Sequence, residues 1–168
     1  MDHGGIALKE LMPLAEKIGA ALKARQQTVA VAESSAGGLI SAALLAVPGA
    51  SAYFIGGGVF YTRQSILMMR DTRESMFKGL RGATEPWALL LAQTLRARCG
   101  ADWGLGESGA AGPAGNRYGD PPGHAACAVT GIFERSIVLD TGSNDRIANM
   151  VAFSSAALKL LAECLEKP

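Results

Sequence analysis

The chain has 168 residues, sixteen basic and fifteen acidic, for a formal net charge of +1. That balance excludes the basic stripe of a nucleic-acid binder, and the length fits one domain. Nearly half of the residues (49%) are apolar, enough for a sizeable core, and no apolar run reads as long enough to span a bilayer.

Met1-Asp2-His3-Gly4-Gly5 has neither the basic start nor the apolar stretch of a signal peptide, so a cytoplasmic location is expected. Ile6 to Arg25 predicts an amphipathic helix, with Leu8, Leu11, Leu14, Ala15, Ile18, Ala21 and Leu22 as its apolar stripe. Thr28 to Ala32 predicts a short buried strand, and Gly38 to Ala46 a helix ended by Pro48-Gly49. Ala52 to Tyr61 predicts a second strand, loosened by Gly56-Gly57-Gly58. Thr62 to Gly79 is expected to be largely helical. Thr84-Glu85-Pro86 predicts a helix start, with Thr84 as cap, for a helix running to about Arg98. Ala101 to Glu107 predicts a third strand. Ser108 to Pro122, dense in glycine and proline, predicts a long loop. Gly123 to Phe133 and Glu134 to Asp140 read as two strands joined by a tight hairpin, and Asn144 to Glu166 as a final helix. Helices flanking strands in this order predict an α/β protein, a three-layer α/β/α sandwich over residues 1–168. The late hairpin makes its β-sheet mixed.

The three cysteines, Cys99, Cys127 and Cys164, are far apart and odd in number, which fits reduced, mostly buried thiols. With only His3 and His124 for histidine ligands, neither a metal centre nor a cofactor is expected. Trp87 and Trp103 read as core or interface residues, and Met68-Met69 as helix packing.

Three segments carry chemistry. The first strand runs into Glu33-Ser34-Ser35-Ala36-Gly37-Gly38 and restarts as a helix. Such a corner leaves backbone N–H groups unpaired at the positive end of the helix dipole, suited to a phosphate, carboxylate or oxyanion. Ser34 is either a nucleophile with those amides as oxyanion hole, or one of two serines capping the helix near Ala36. Glu33 either binds a ligand hydroxyl or pairs with an arginine. In the second segment, Ser51 and Tyr61 bracket an apolar strand, and a phenol at the strand end reaches either a pocket or the surface. The third segment, Glu107 to Asn116, also follows a strand, so two small-residue loops are expected to border one crevice outside the sheet edge. Candidate ligand contacts are Glu33, Ser35, Ala36, Gly37, Gly38, Ser108, Gly109 and Gly112. No carboxylate is placed by local spacing to orient His124, which reads as a structural or surface histidine.

Taken together, these segments resemble the C-terminal domain of the CinA family, the competence/damage-inducible proteins that include nicotinamide mononucleotide (NMN) deamidases. The family pattern has a strand then Glu-Ser-Cys-Thr-Gly-Gly, Pro-Gly-Ser-Ser, Gly-x-Val-x-Tyr-Ser-Asn-x-x-Lys, Gly-Ala-Val-Ser-Glu and Ser-Gly-Ile-Ala-Gly-Pro. Here these stand as Glu33 to Gly38, Pro48-Gly49-Ala50-Ser51, Gly58-Val59-Phe60-Tyr61-Thr62-Arg63, Gly82-Ala83-Thr84-Glu85 and Ser108 to Pro113, in order and in register. The resemblance runs from about Leu8 to Leu165. Larger family members carry an extra N-terminal domain that a chain of this length has no room for.

The resemblance implies a homo-oligomer, a dimer or higher, with no membrane or nucleic-acid partner. It also implies metal-free hydrolysis of the NMN carboxamide to nicotinic acid mononucleotide and ammonia. Ser34 falls on the nucleophile, Ser51 on a supporting serine and Tyr61 on the family tyrosine. The family lysine falls on Ile66, and no lysine lies between Lys23 and Lys78. Serine has little nucleophilic power without a group to accept its proton. Arg63 and Arg146 are the cations left near the motifs, and arginine stays protonated. The readings open to the chain are therefore an amidohydrolase, a weak or inactive paralogue binding a pyridine nucleotide or similar small molecule, and a structural oligomer subunit.

Overall fold

The computed structural model describes residues 3–69 and 71–168. Helix α1 (His3–Arg25) leads to strand β1 (Val29–Glu33), helix α2 (Leu39–Leu45) and strand β2 (Phe54–Val59). A one-turn helix α3 (Arg63–Ile66) and a 3-10 turn (Glu74–Phe77) precede helix α4 (Glu85–Cys99). Strands β3 (Trp103–Ala110), β4 (His124–Thr130) and β5 (Glu134–Asp140) follow, then helix α5 (Arg146–Glu166). The sheet order is β2-β1-β3-β4-β5. β1 is parallel to β2 and β3, while β4 is antiparallel to β3 and β5. Parallel neighbours need crossovers, which α2 and α4 supply. The result is the expected α/β/α sandwich with a mixed sheet.

Side-chain alternation along the strands divides the core in two. Val29, Val31, Leu105, Cys127 and Val129 pack with Leu11, Ile18, Leu22, Ile40, Leu44 and Leu158 from α1, α2 and α5. On the opposite face, Ala30 and Ala32 meet Trp87, Leu91 and Leu95 of α4, together with Ile66 and Phe77. Ala126 and Ala128 meet Ala88 there. Gly104 and Gly106 lie in register with Ala30 and Ala32. A Cβ on either glycine would run into the carbonyl of Ala92 or Ala88. The sheet is therefore small-residued under α4, and the helix backbone lies close on it.

Four sequence expectations change. Residues 62–79 are not largely helical: Asp71 takes φ +62°, and the Thr72 hydroxyl donates to the Ile66 and Met69 carbonyls at 2.8 and 2.6 Å, which closes the chain into turns. In consequence Met68 is exposed and only Met69 packs. Thr84 occupies the cap position of α4, but its hydroxyl donates to the Arg81 carbonyl at 2.7 Å rather than accepting a helix amide. β3 continues to Ala110 because β4 pairs with it as far as His124, so Ser108 and Gly109 lie on a strand. Finally, α5 is long and apolar enough to cross a bilayer, with mean hydropathy 1.3, but half of its most apolar window is buried against the rest of the fold. Trp87 and Trp103 are core residues, and all three cysteines are free thiols, Cys127 and Cys164 buried.

Candidate functional site

β1, β2 and β3 run in the same direction, so their C-terminal ends deliver Ser34, Tyr61 and Ser108 to one edge of the sheet. Between β1 and α2 the chain reverses through Gly37 and Gly38, at φ +68° and +101°, a region that glycine enters without steric cost. Most amides of this corner are not free, contrary to expectation: Gly37 donates to the Ser34 carbonyl, two fully buried carboxylates take most of the others, and the Ser35 amide has no acceptor among the described residues. Glu33 accepts from the amides of Gly38 (2.8 Å), Ile40 (3.1 Å) and Ser41 (2.9 Å) and from the Ser41 hydroxyl (2.7 Å). It caps α2, in the role considered for the serines, and pairs with no arginine among the described residues. Glu107 accepts from the Ser34 and Ala36 amides at 2.9 and 3.0 Å and from the Ser35 hydroxyl. Burial pushes the Glu107 carboxyl up to about 6, against the pull of those three donors, and the charge of Glu33 adds to the rise.

Above the corner opens a cleft of about 450 Å³, a volume suited to a small molecule. Its floor and one wall are Ser34, Ser108, Gly109, Gly82 and Ala83. Phe60, Tyr61, Trp87 and Tyr118 supply aromatic surface, and Thr62, Arg63, Gln64, Asn116 and Arg117 complete the lining. Ser34 is 8% exposed, and its hydroxyl has no hydrogen-bond partner among the described residues. The Ser108 hydroxyl accepts from the Ala83 amide at 3.1 Å. Tyr61 is 61% exposed, and its hydroxyl accepts from Arg146 Nη2 at 3.1 Å. Arg146 Nη1 donates to the Gly112 carbonyl at 2.5 Å, so α5 ties the end of β2 to the loop after β3. That loop is built rather than slack. The Asn116 side chain bridges to Asp120, and Arg81 clamps Asp120 at 2.6 Å, which holds its carboxyl below the usual range.

The structure thus brings together four of the candidate catalytic and ligand-contact residues, Ser34, Tyr61, Ser108 and Gly109, and adds Arg63 and Trp87 to the same lining. The others lie elsewhere. Ser51 is exposed before the N-terminal end of β2, at the sheet edge opposite Tyr61 and about 20 Å of strand away. Glu33, Ser35, Ala36, Gly37 and Gly38 form the corner beside the cleft and are absent from its lining, with the Glu33 carboxylate bonded to α2 amides and the Ser35 hydroxyl and Ala36 amide to Glu107. Gly112 turns its carbonyl to Arg146. Ile66 is 1% exposed and packs on Trp87 and Phe77, outside the cleft. Both ring nitrogens of His124 face oxygens, Asp140 at 2.7 Å and the Ala83 carbonyl at 3.0 Å, so it pins the start of β4 to neighbouring segments as a structural histidine.

Sequence reasoning did not assign Glu107, Arg117 and Tyr118. The signal for Glu107 was present: a lone carboxylate in an otherwise uncharged strand must find donors inside the fold. Arg117 and Tyr118 sit in a glycine- and proline-rich loop with no periodicity to place them. Among the described residues no group of three or more His, Cys, Asp or Glu side chains is arranged to hold a metal ion.

Comparison with known proteins gives a consistent picture. Residues 11–165 match the CinA C-terminal domain family. A CinA-like protein of Chloroherpeton thalassium is 34% identical over 92% of the chain, and one of Desulforapulum autotrophicum 32% over 91%. The chain spans only 38% and 36% of the length of these relatives. Among solved structures, the competence/damage-inducible protein CihA of Agrobacterium tumefaciens superposes with a TM-score of 0.84 at 26% identity, covering 94% of this chain and 96% of that one. A competence or damage-inducible protein of Enterobacter asburiae gives 0.86 at 22% identity, covering 93% and 98%, a likeness of fold alone.

Proposed function

The chain belongs to the CinA C-terminal domain family, and from that membership we propose that it binds a pyridine mononucleotide or a similar small nucleotide in the cleft above Ser34 without efficient turnover. One observation carries this reading: no histidine, lysine, aspartate or glutamate lines the cleft among the described residues. The Ser34 hydroxyl lines this space and makes no hydrogen bond to a base among the described residues. Loss of general-base help costs on the order of 100- to 10,000-fold in rate. Binding needs no base. The cleft keeps aromatic faces for a flat ring and polar groups for a sugar and an anion.

A second reading, slow hydrolysis of the NMN carboxamide with Ser34 as nucleophile, is supported by the shared cleft of Ser34 and Tyr61. One experiment separates the two. Purified protein is incubated with NMN while ammonia release and melting temperature are followed. A raised melting temperature with no ammonia supports binding without turnover. Ammonia release at an ordinary enzymatic rate, abolished in Ser34→Ala, establishes the amidohydrolase instead. No shift and no ammonia removes both.

A further inference from the structure

The charge in the cleft is one-sided. Four described cations outside the cleft pair with carboxylates: Arg81 with Asp120, Arg98 with Asp71, Arg135 with Glu163 and Lys17 with Glu166. Arg63 and Arg117 both line the cleft, and neither forms an ion pair among the described residues. No aspartate or glutamate shares the lining with them.

Both guanidiniums are held by neutral groups. Arg63 Nη2 donates to the Phe77 and Leu80 carbonyls at 3.0 and 2.6 Å, and the guanidinium lies 5.1 Å over the Trp87 ring. Arg117 Nη2 donates to the Tyr118 hydroxyl at 2.9 Å, with its guanidinium 5.0 Å over the same ring. Carbonyls and ring faces orient a guanidinium without cancelling its charge. In both residues Nε and Nη1 have no acceptor among the described residues. Their charges reach a common place: the Arg117 hydrogen bond holds the Tyr118 hydroxyl below the usual phenol value, and the charges of Arg117 and Arg63 add to that lowering. Planar forks with spare N–H groups match the oxygens of a phosphate monoester. Arg146 does not compete for this role, because it lies outside the lining with both terminal nitrogens engaged.

We propose that Arg63 and Arg117 form the anion pole of the cleft and hold the phosphate of its occupant while the aromatic wall takes the ring. As an assignment of the phosphate in NMN, this rests on the nucleotide reading above; as an assignment of an anion subsite, it does not. The test is calorimetric titration of wild type and Arg117→Gln with NMN, nicotinamide riboside and phenyl phosphate. Arg117 is exposed on a loop, so the variant is expected to fold, which circular dichroism verifies. The expected result is that NMN and phenyl phosphate bind wild type, that each loses at least tenfold in affinity in Arg117→Gln, and that the riboside is indifferent to the substitution. Phenyl phosphate binding with this loss but no NMN binding keeps the anion pole and overturns the nucleotide reading. NMN binding equally well in both proteins overturns the anion pole and keeps the nucleotide reading. Binding of neither phosphomonoester to wild type overturns both.

Discussion

Glu107 holds Ser34 by its backbone: the carboxylate accepts the Ser34 amide at 2.9 Å from a position with no exposure to solvent. The corner that presents the cleft serine is therefore braced from the neighbouring strand β3, by an acid 73 residues away, as well as by its own loop. Glu107→Ala would strand three donors, the Ser34 and Ala36 amides and the Ser35 hydroxyl. We expect a cost of roughly 3 kcal/mol or more in chemical denaturation. Glu107→Gln keeps an oxygen for the two amides and turns an NH₂ toward Ser35, so it should fold with the corner intact.

The same residue makes a pH prediction. Its carboxyl lies at about 6 in the fold against an ordinary 4.5. The folded chain then binds this proton more tightly than the unfolded chain. The stability that Glu107 contributes is thus greatest below about 4.5 and falls as pH rises to about 6, by about 2 kcal/mol. Denaturation of wild type and Glu107→Gln between pH 4 and 7 should show the difference narrowing toward the acid end. Parallel profiles would mean that Glu107 is not shifted.

Serine positions separate by where the strands end. Ser34→Ala removes a hydroxyl with no internal partner, so stability should change by no more than about 0.5 kcal/mol while ligand affinity falls. Ser51→Ala, exposed at the far edge of the sheet, should leave both stability and NMN binding by a monomeric protein unchanged. Loss of binding in Ser51→Ala would place that serine in the site and contradict the geometry of the single chain.

Much of this arrangement was legible in the chain. The apolar run from Thr28 to Ala32 predicted a short buried strand, and the fold buries it on both faces, large residues toward α1 and α5 and small ones toward α4. Parallel strands also put Ser34, Tyr61 and Ser108 on one edge, as expected of loops at strand ends. What local reading could not supply is partnership across distance. The corner looked like a set of open amides because its acceptor, Glu107, is 73 residues away. Ser51 and Tyr61 looked like a bracket around one strand, yet the ends of a strand face opposite edges of a sheet. Residues 62–79 read as helix because a positive φ at Asp71 has no glycine to announce it.

Close packing of α4 gives a stability prediction outside the cleft. Gly106→Ala places a methyl against the Ala88 carbonyl, which belongs to a helix backbone and cannot swing away. We expect a loss of about 3 kcal/mol, measured by denaturation. Gly119→Ala, where a Cβ meets nothing within 4 Å but φ is +92°, should cost about 1 kcal/mol through the backbone alone.

Ile66 is the position where the resemblance has lysine, so Ile66→Lys is the natural attempt to restore catalysis. The structure predicts that it fails for a physical reason. Ile66 is 1% exposed and packs with Trp87, Phe77 and Leu91. An ammonium there is desolvated, which either neutralises the lysine or drives it out through the turn above it. We expect a loss of about 4 kcal/mol and no ammonia from NMN. A stable Ile66→Lys protein that hydrolyses NMN would show that this turn repacks easily enough to carry the amine from the core to Ser34, and that the missing base alone separates this chain from an amidohydrolase.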